Sequence, residues 1–312
     1  MSEVLFVAAG FTTQLNKRTK VDEHPLWGSE CLLINVQNEI DTHREFLRCG
    51  VDVMITNTYQ ASIEGFKAHL GLNESESYNL MKKSVSHCRE AIRIEKQLRT
   101  IDEDKRILIA GAVGSYGAYL ADGSEYHGNF INECHPDDIE KWHRPRIQAL
   151  VDGGVDILAF ETIPALKEAE ILIKLLNEYP KTKAWISFSC KDEYHIAHGE
   201  RFLEVAEKCW SLNSTQIIAI GVNCLAAEIA TKLISQLGTC IPSITYPNCG
   251  KMWDAVNKVW VDQGESKMIE DYVEKWCEIG VKFIGGCCGT SIEARIRMKS
   301  IIDNFNKKIK KS

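Results

Sequence analysis

Two cysteines stand side by side near the end of the chain, in Gly285-Gly286-Cys287-Cys288-Gly289. A disulfide between neighbours strains both the bridge and the peptide that joins them. The pair is better suited to holding a metal. The flanking glycines let the backbone bend until both sulfurs face one point. The run lies at an expected strand-to-helix turn, and a helix N-terminus favours thiolate over thiol. Zn²⁺ takes tetrahedral sulfur ligation and, where it is catalytic, keeps one position for a substrate. Such a site needs a third ligand from elsewhere in the fold. Cys224, in Gly221-Val222-Asn223-Cys224, closes an expected strand and fits best, with Cys190 and Cys249 in reserve. The remaining cysteines read as small buried hydrophobes. No Cys-x-x-Cys pair occurs, which argues against a zinc ribbon or a thioredoxin-like motif. An iron–sulfur cluster usually takes four cysteines.

The elements that must position these residues follow a regular alternation. Near-continuous apolar runs lie at 4–9, 51–56, 107–113, 155–160, 183–189, 216–222, 241–246 and 281–284. Strands buried on both faces read this way. Helices are expected at 74–97, 137–151, 166–176, 226–237, 267–279 and 291–304, the last capped by Ser291. Eight strands alternating with helices predict an α/β fold, a (β/α)₈ TIM barrel, in preference to an open doubly wound sheet. The unusual residues favour the barrel because they fall just after the strands, where a barrel gathers its loops on one face. They include Gly10, Phe11, Tyr59, Glu161 and Asn223; with Thr56, the last residue of its run, these are the candidate substrate contacts. Residues 116–136 form the longest stretch with no expected element, and long loops inside compact domains tend to be functional. No linker or repeat divides the chain, so residues 1–312 are expected to form one domain.

Composition narrows the class. The chain is 45% hydrophobic and 26% charged, as a globular protein with a sizeable core should be. A formal net charge of −6 argues against nucleic acid or an anionic membrane as partner. No apolar run approaches the ~20 residues of a membrane span. The basic run at 307–311 is expected to be a frayed, solvated end. No signal peptide is recognised, so a cytoplasmic location is expected, and a disulfide scaffold is not, although the twelve cysteines are even in number. A nucleotide cradle is rejected because no Gly-x-x-x-x-Gly-Lys-[Ser/Thr] occurs.

Several motifs together resemble the homocysteine S-methyltransferases, particularly the branch that uses S-methylmethionine. The resemblance runs from about Val4 to about Arg297. Its most specific parts are Gly-Val-Asn-Cys ending at Cys224 and the Gly-Gly-Cys-Cys-Gly run. Supporting motifs begin at Thr56, Tyr116, Phe160 and Tyr246. The resemblance implies that Cys224, Cys287 and Cys288 bind one Zn²⁺, and it implies the same barrel fold. It also implies that Glu161 helps to bind the substrate. One departure matters: the family's first strand ends in an Asp-Gly-Gly-like loop, whereas this chain has Ala8-Ala9-Gly10. The family aspartate helps to hold the substrate's amino group, a task Ala8 cannot perform and Glu161 could carry alone. A smaller departure is Ser115, where the family often has proline.

The implied reaction is methyl transfer from a sulfonium donor, S-methylmethionine or S-adenosylmethionine, to homocysteine, giving methionine. A free thiol with a pKa near ~8.5 is mostly protonated at pH 7, and coordination to zinc removes that proton. Phe11, Tyr59, Tyr116 and Tyr246 are candidates for aromatic contact with the donor cation. His127, His195 and His198 lie in expected loops and are weaker candidates. Three alternatives stay open: a betaine donor, a selenocysteine or selenohomocysteine acceptor, and a weakened zinc- or thiol-binding member with Ala8 as its motive. Betaine-using enzymes usually carry a C-terminal extension, and little chain follows Cys288. The oligomeric expectation is a monomer or small homo-oligomer.

Overall fold

The computed structural model describes residues 3–21, 23–249, 251–254, 259–262 and 268–311. Each of the eight apolar runs is a strand: β1 Leu5–Ala8, β2 Val53–Ile55, β3 Leu108–Gly114, β4 Ile157–Ile163, β5 Lys183–Phe188, β6 Ile217–Ala226, β7 Ser243–Asn248 and β10 Val281–Gly285. They pair in parallel and close into a barrel in the order β1-β10-β7-β6-β5-β4-β3-β2. A small antiparallel hairpin, β8 Lys251–Asp254 and β9 Val259–Asp262, follows β7 and was not expected.

Alternate residues of each strand fill the lumen. Ala110, Ala112, Ala159 and Ala219 leave room for Trp185, Tyr246 and Phe283. The Trp185 and Phe283 rings lie 5.8 Å apart across the interior. The barrel is thus a packed core rather than a pore, with its loops free to build a site above it. The opposite strand faces join the helices in a second, larger core.

Local chemistry sets the helix boundaries. Asn73 and Glu76 form a reciprocal capping box, at 3.0 and 2.8 Å, that starts the helix Glu74–Gln97. Pro136, followed by two acidic residues, opens Pro136–Gly153, and Gly154 ends it in the left-handed region. Ser291 caps Ile292–Ile309 by accepting from the Ala294 N–H at 3.1 Å.

Three expectations need correction. Residues 116–136 contain a helix, Tyr116–Leu120, and two 3-10 turns, Ser124–Tyr126 and Asn129–Asn132. Aromatic packing of Tyr116 against Tyr119, Phe130 and Trp142 orders them. The basic end is helical to Ile309, because Lys307 and Lys308 sit in a last turn whose carbonyls favour cations. The helix expected at 267–279 is a 3-10 turn, Ile269–Tyr272, followed by Val273–Glu278, and Lys267 lies outside the described residues. Val36–Arg48, Ile63–Leu70 and Phe202–Asn213 are helices that were not expected. Among the described residues, no helix is long and apolar enough to cross a membrane. No disulfide joins the twelve cysteines.

Gly221 marks the tightest backbone approach in the barrel. A Cβ there would lie 1.7 Å from the Ile244 carbonyl oxygen on β7. Gly221→Ala should therefore cost at least ~4 kcal/mol in urea melts, or prevent soluble expression. Gly238→Ala, in open space at φ +58, should cost only about 1–2 kcal/mol. Equal costs for the two would contradict this packing.

Candidate metal centre and active site

The cysteine site forms where the end of β6, which carries Cys224, meets the loop after β10, which carries Cys287 and Cys288. Cys224 Sγ lies 2.8 Å from Cys287 Sγ, which lies 3.8 Å from Cys288 Sγ. All three sulfurs fall within 4.8 Å of one another. Two backbone features bring them together. Cys224 has φ 56, the left-handed region that non-glycine residues seldom occupy, and it turns at a register shift between Asn223 and Ala226. Cys287 is anchored by its N–H, which donates to the Pro247 carbonyl at 2.7 Å. Gly10 lets the first loop press against the cysteine loop: its φ is +69, and a Cβ there would sit 2.5 Å from the Cys287 oxygen.

A second strained strand end faces the first. Thr162, a β-branched residue, has φ 58 at the end of β4, beside Glu161. The Asn223 side chain holds it, accepting from the Thr162 N–H at 2.9 Å and donating to its hydroxyl at 2.8 Å. One buried amide therefore ties the residue after Glu161 to the residue before Cys224. That clasp engages both ends of the Asn223 amide, leaving it better placed to position the site than to grip a ligand.

The three expected zinc ligands and the six expected substrate contacts all line one cavity: Gly10, Phe11, Thr56, Tyr59, Glu161, Asn223, Cys224, Cys287 and Cys288. The Thr56 hydroxyl is engaged within the protein, accepting from the Ala112 N–H at 2.9 Å and meeting the Thr58 hydroxyl at 2.7 Å. The cavity also takes Thr12, Trp27, Asn57, Tyr126 and Thr162, which sequence reasoning did not assign to it. Tyr126 ends the motif Tyr-Gly-Ala-Tyr-Leu-Ala-Asp-Gly-Ser-Glu-Tyr that begins at Tyr116; nothing in the apolar pattern marks Trp27. Ala8 is in the wall, buried and uncharged.

Other candidates fall elsewhere. Tyr246 is fully buried in the barrel, and its hydroxyl donates to Glu161 at 3.0 Å. It supports the site from below rather than offering a face to a cation. Tyr116 packs in the aromatic cluster around Trp142. His195 pairs with Asp192 at 2.9 Å and His198 with Glu200 at 3.1 Å, while the His127 ring accepts from the Asn129 N–H. None of these residues lines the cavity. Neither reserve cysteine, Cys190 or Cys249, belongs to the sulfur cluster.

The cavity is an unusual electrostatic environment. Burial pushes the Glu161 carboxyl up to about 7, against the Tyr246 hydrogen bond, with Cys288 adding to the rise. Among the three thiols, Cys288 holds negative charge most readily, because Cys224 and then Cys287 hydrogen-bond to it. Cys224 is shifted the opposite way, by its hydrogen bonds with Cys287 and then Cys288 and by burial. Three convergent thiols are a suitable donor set for a soft or borderline metal ion. A neighbouring carboxylate suits a cationic group on whatever binds beside that ion.

Comparison with known proteins agrees with this arrangement. The family model described as homocysteine S-methyltransferase matches residues 5–298. The chain is 38% identical to an Escherichia coli homocysteine S-methyltransferase, covering 93% of this chain and 92% of the relative. It is 37% identical to a betaine-homocysteine S-methyltransferase of Drosophila melanogaster, covering 97% and 95%. The solved Escherichia coli homocysteine methyltransferase MmuM, described as its metallated form, superposes with a TM-score of 0.83 at 34% identity over 96% of both chains. The three-sulfur site, the closed barrel and these matches have one reading: the chain belongs to the homocysteine S-methyltransferase family.

Proposed function

We propose that the protein transfers a methyl group from a sulfonium donor, S-methylmethionine or S-adenosylmethionine, to homocysteine, giving methionine. In this reading Cys224, Cys287 and Cys288 hold one Zn²⁺. The carrying observation is the convergence of three sulfurs within 4.8 Å in the same cavity as Glu161. When bound, zinc supplies Lewis acidity that keeps the acceptor sulfur in its nucleophilic thiolate form at neutral pH.

The chain's own residues do the rest. Glu161 receives the acceptor's ammonium group, whose charge restores the ionised carboxylate that burial disfavours. The Asn223–Thr162 clasp fixes the spacing between that carboxylate and Cys224. Phe11, Tyr59, Trp27 and Tyr126 give the cavity aromatic walls against which a sulfonium can rest. The buried walls exclude water, which favours a transfer in which a cation and an anionic sulfur neutralise each other. No general base is required. The protein acts in the cytoplasm as a monomer or small homo-oligomer.

Chain length does not separate the donor classes, since the chain covers 95% of the Drosophila relative named for betaine. A selenocysteine methyltransferase of Astragalus bisulcatus is 38% identical, so acceptor class is equally open to assay. A second reading, a catalytically weakened thiol-binding member, rests on Ala8, which puts an uncharged wall where the family has an aspartate.

The deciding experiment is a methyl-transfer assay of homocysteine with S-methylmethionine, S-adenosylmethionine and betaine, with zinc quantified in the same sample. About one zinc per chain and turnover with a sulfonium donor are expected. Zinc-free protein prepared without chelator would refute the reading. Ala8→Asp in the same assay should change the rate little if Glu161 suffices; a gain of tenfold or more would favour the weakened-member reading. Glu161→Gln should raise the acceptor KM far more than the donor KM. In the parent, acceptor KM should improve as pH rises through about 7, where Glu161 ionises, and the variant should lose that dependence. An unchanged acceptor KM would rule out the role given to Glu161.

A further inference from the structure

Arg295 is fully buried directly behind the cysteine loop. Its guanidinium donates to the Gly286 carbonyl at 2.8 Å and, at a long 3.5 Å, to the Cys287 carbonyl. It lies over the Phe46 ring, 4.7 Å from the centroid, and its Nε has no hydrogen-bond partner. Among the described residues, Arg295 forms no ion pair with a carboxylate, although the chain's surface carries many such pairs. A guanidinium remains charged in proteins, and a buried charge without a counter-charge is strongly unfavourable.

The other fully buried arginine shows what a self-sufficient arrangement looks like. Arg146 donates to three carbonyls, those of Ala61, Gly114 and Tyr59, at 2.7–2.8 Å. It also neighbours His143, which pairs with the buried Glu168 at 2.9 Å. Arg295 lacks both the full set of acceptors and the nearby acid. Its peptide contacts lead only to Gly286 and Cys287, the start of the sulfur site.

We propose that Arg295 is the resident counter-cation of the zinc–thiolate centre and a positioning residue for the Gly286–Cys288 loop. Three thiolates around one divalent ion carry a formal charge of −1, and a fourth from the acceptor makes it −2. A fixed cation behind the loop offsets that charge without occupying a coordination position. Its two carbonyl contacts also hold the peptide that aims Cys287. The proposal rests on the zinc reading above. It extends that reading by assigning the centre's charge balance to one side chain outside the ligand set and outside the cavity wall.

The test compares the parent with Arg295→Met, which removes the charge and keeps the bulk, and Arg295→Lys, which keeps the charge. Zinc affinity is measured by competition with a chromophoric chelator, without substrate, and thermal unfolding is followed with and without zinc. Arg295→Met should weaken zinc binding at least tenfold, while its metal-free form melts at or above the parent's temperature. Arg295→Lys should stay within about threefold of the parent's zinc affinity. If Arg295→Met does not fold, Arg295→Gln replaces it, retaining a donor while losing the charge, with the same tenfold loss expected. Parent-like zinc affinity in the uncharged variants, with equal destabilisation of the metal-free and zinc-bound forms, would reduce Arg295 to a packing residue. A parent that binds no zinc would overturn both this proposal and the reading beneath it.

Discussion

Three sulfurs packed within 4.8 Å of one another cannot all carry charge in a buried site unless a cation joins them. This constraint organises the loop face of the barrel. It favours a divalent metal at the point of convergence and makes a buried arginine behind the loop intelligible. It adds, through Cys288, to the burial that keeps the Glu161 carboxyl from ionising readily. Each charge in the site depends on the next.

Holding the sulfurs together requires backbone that ordinary strands do not supply. Cys224 and Thr162 both take left-handed conformations where β6 and β4 end. Such positions typically cost about 1–3 kcal/mol each and persist only where surrounding structure enforces them. Here the enforcement is visible in the Asn223 amide, whose oxygen and nitrogen are both engaged by one threonine. The packed lumen below contributes rigidity. Tyr246 connects Ser187 and Trp185 to Glu161 through a single hydroxyl, so the carboxylate stands on the barrel core rather than on a loop.

Much of this was legible in the chain because the signals are local. Strands buried on both faces leave continuous apolar runs, and all eight were recognisable. The adjacent cysteines declared themselves by type and spacing, and Cys224 followed from the rule that barrel sites collect at strand ends. The helix Val36–Arg48 was obscured because its inward face carries Glu39, Thr42 and His43 among the apolar residues. Phe202–Asn213, in contrast, buries Phe202, Val205, Ala206 and Cys209 at helical spacing, so its pattern was available to be read. Tyr246 could also have been placed correctly, since alternation puts it on the same inward face as Ile244. Trp27 and the Asn223–Thr162 clasp depend on residues distant in sequence meeting in space, and the Arg295 contact depends on how the cysteine loop folds back over the helix that follows it. No periodicity announces them.

X-ray absorption at the zinc edge, recorded on the purified protein with and without homocysteine, tests the three-sulfur centre most directly. The account predicts three sulfur neighbours at ~2.3 Å in the resting protein and four once homocysteine is added. A first shell with fewer than three sulfurs, or one that does not change with homocysteine, would contradict it.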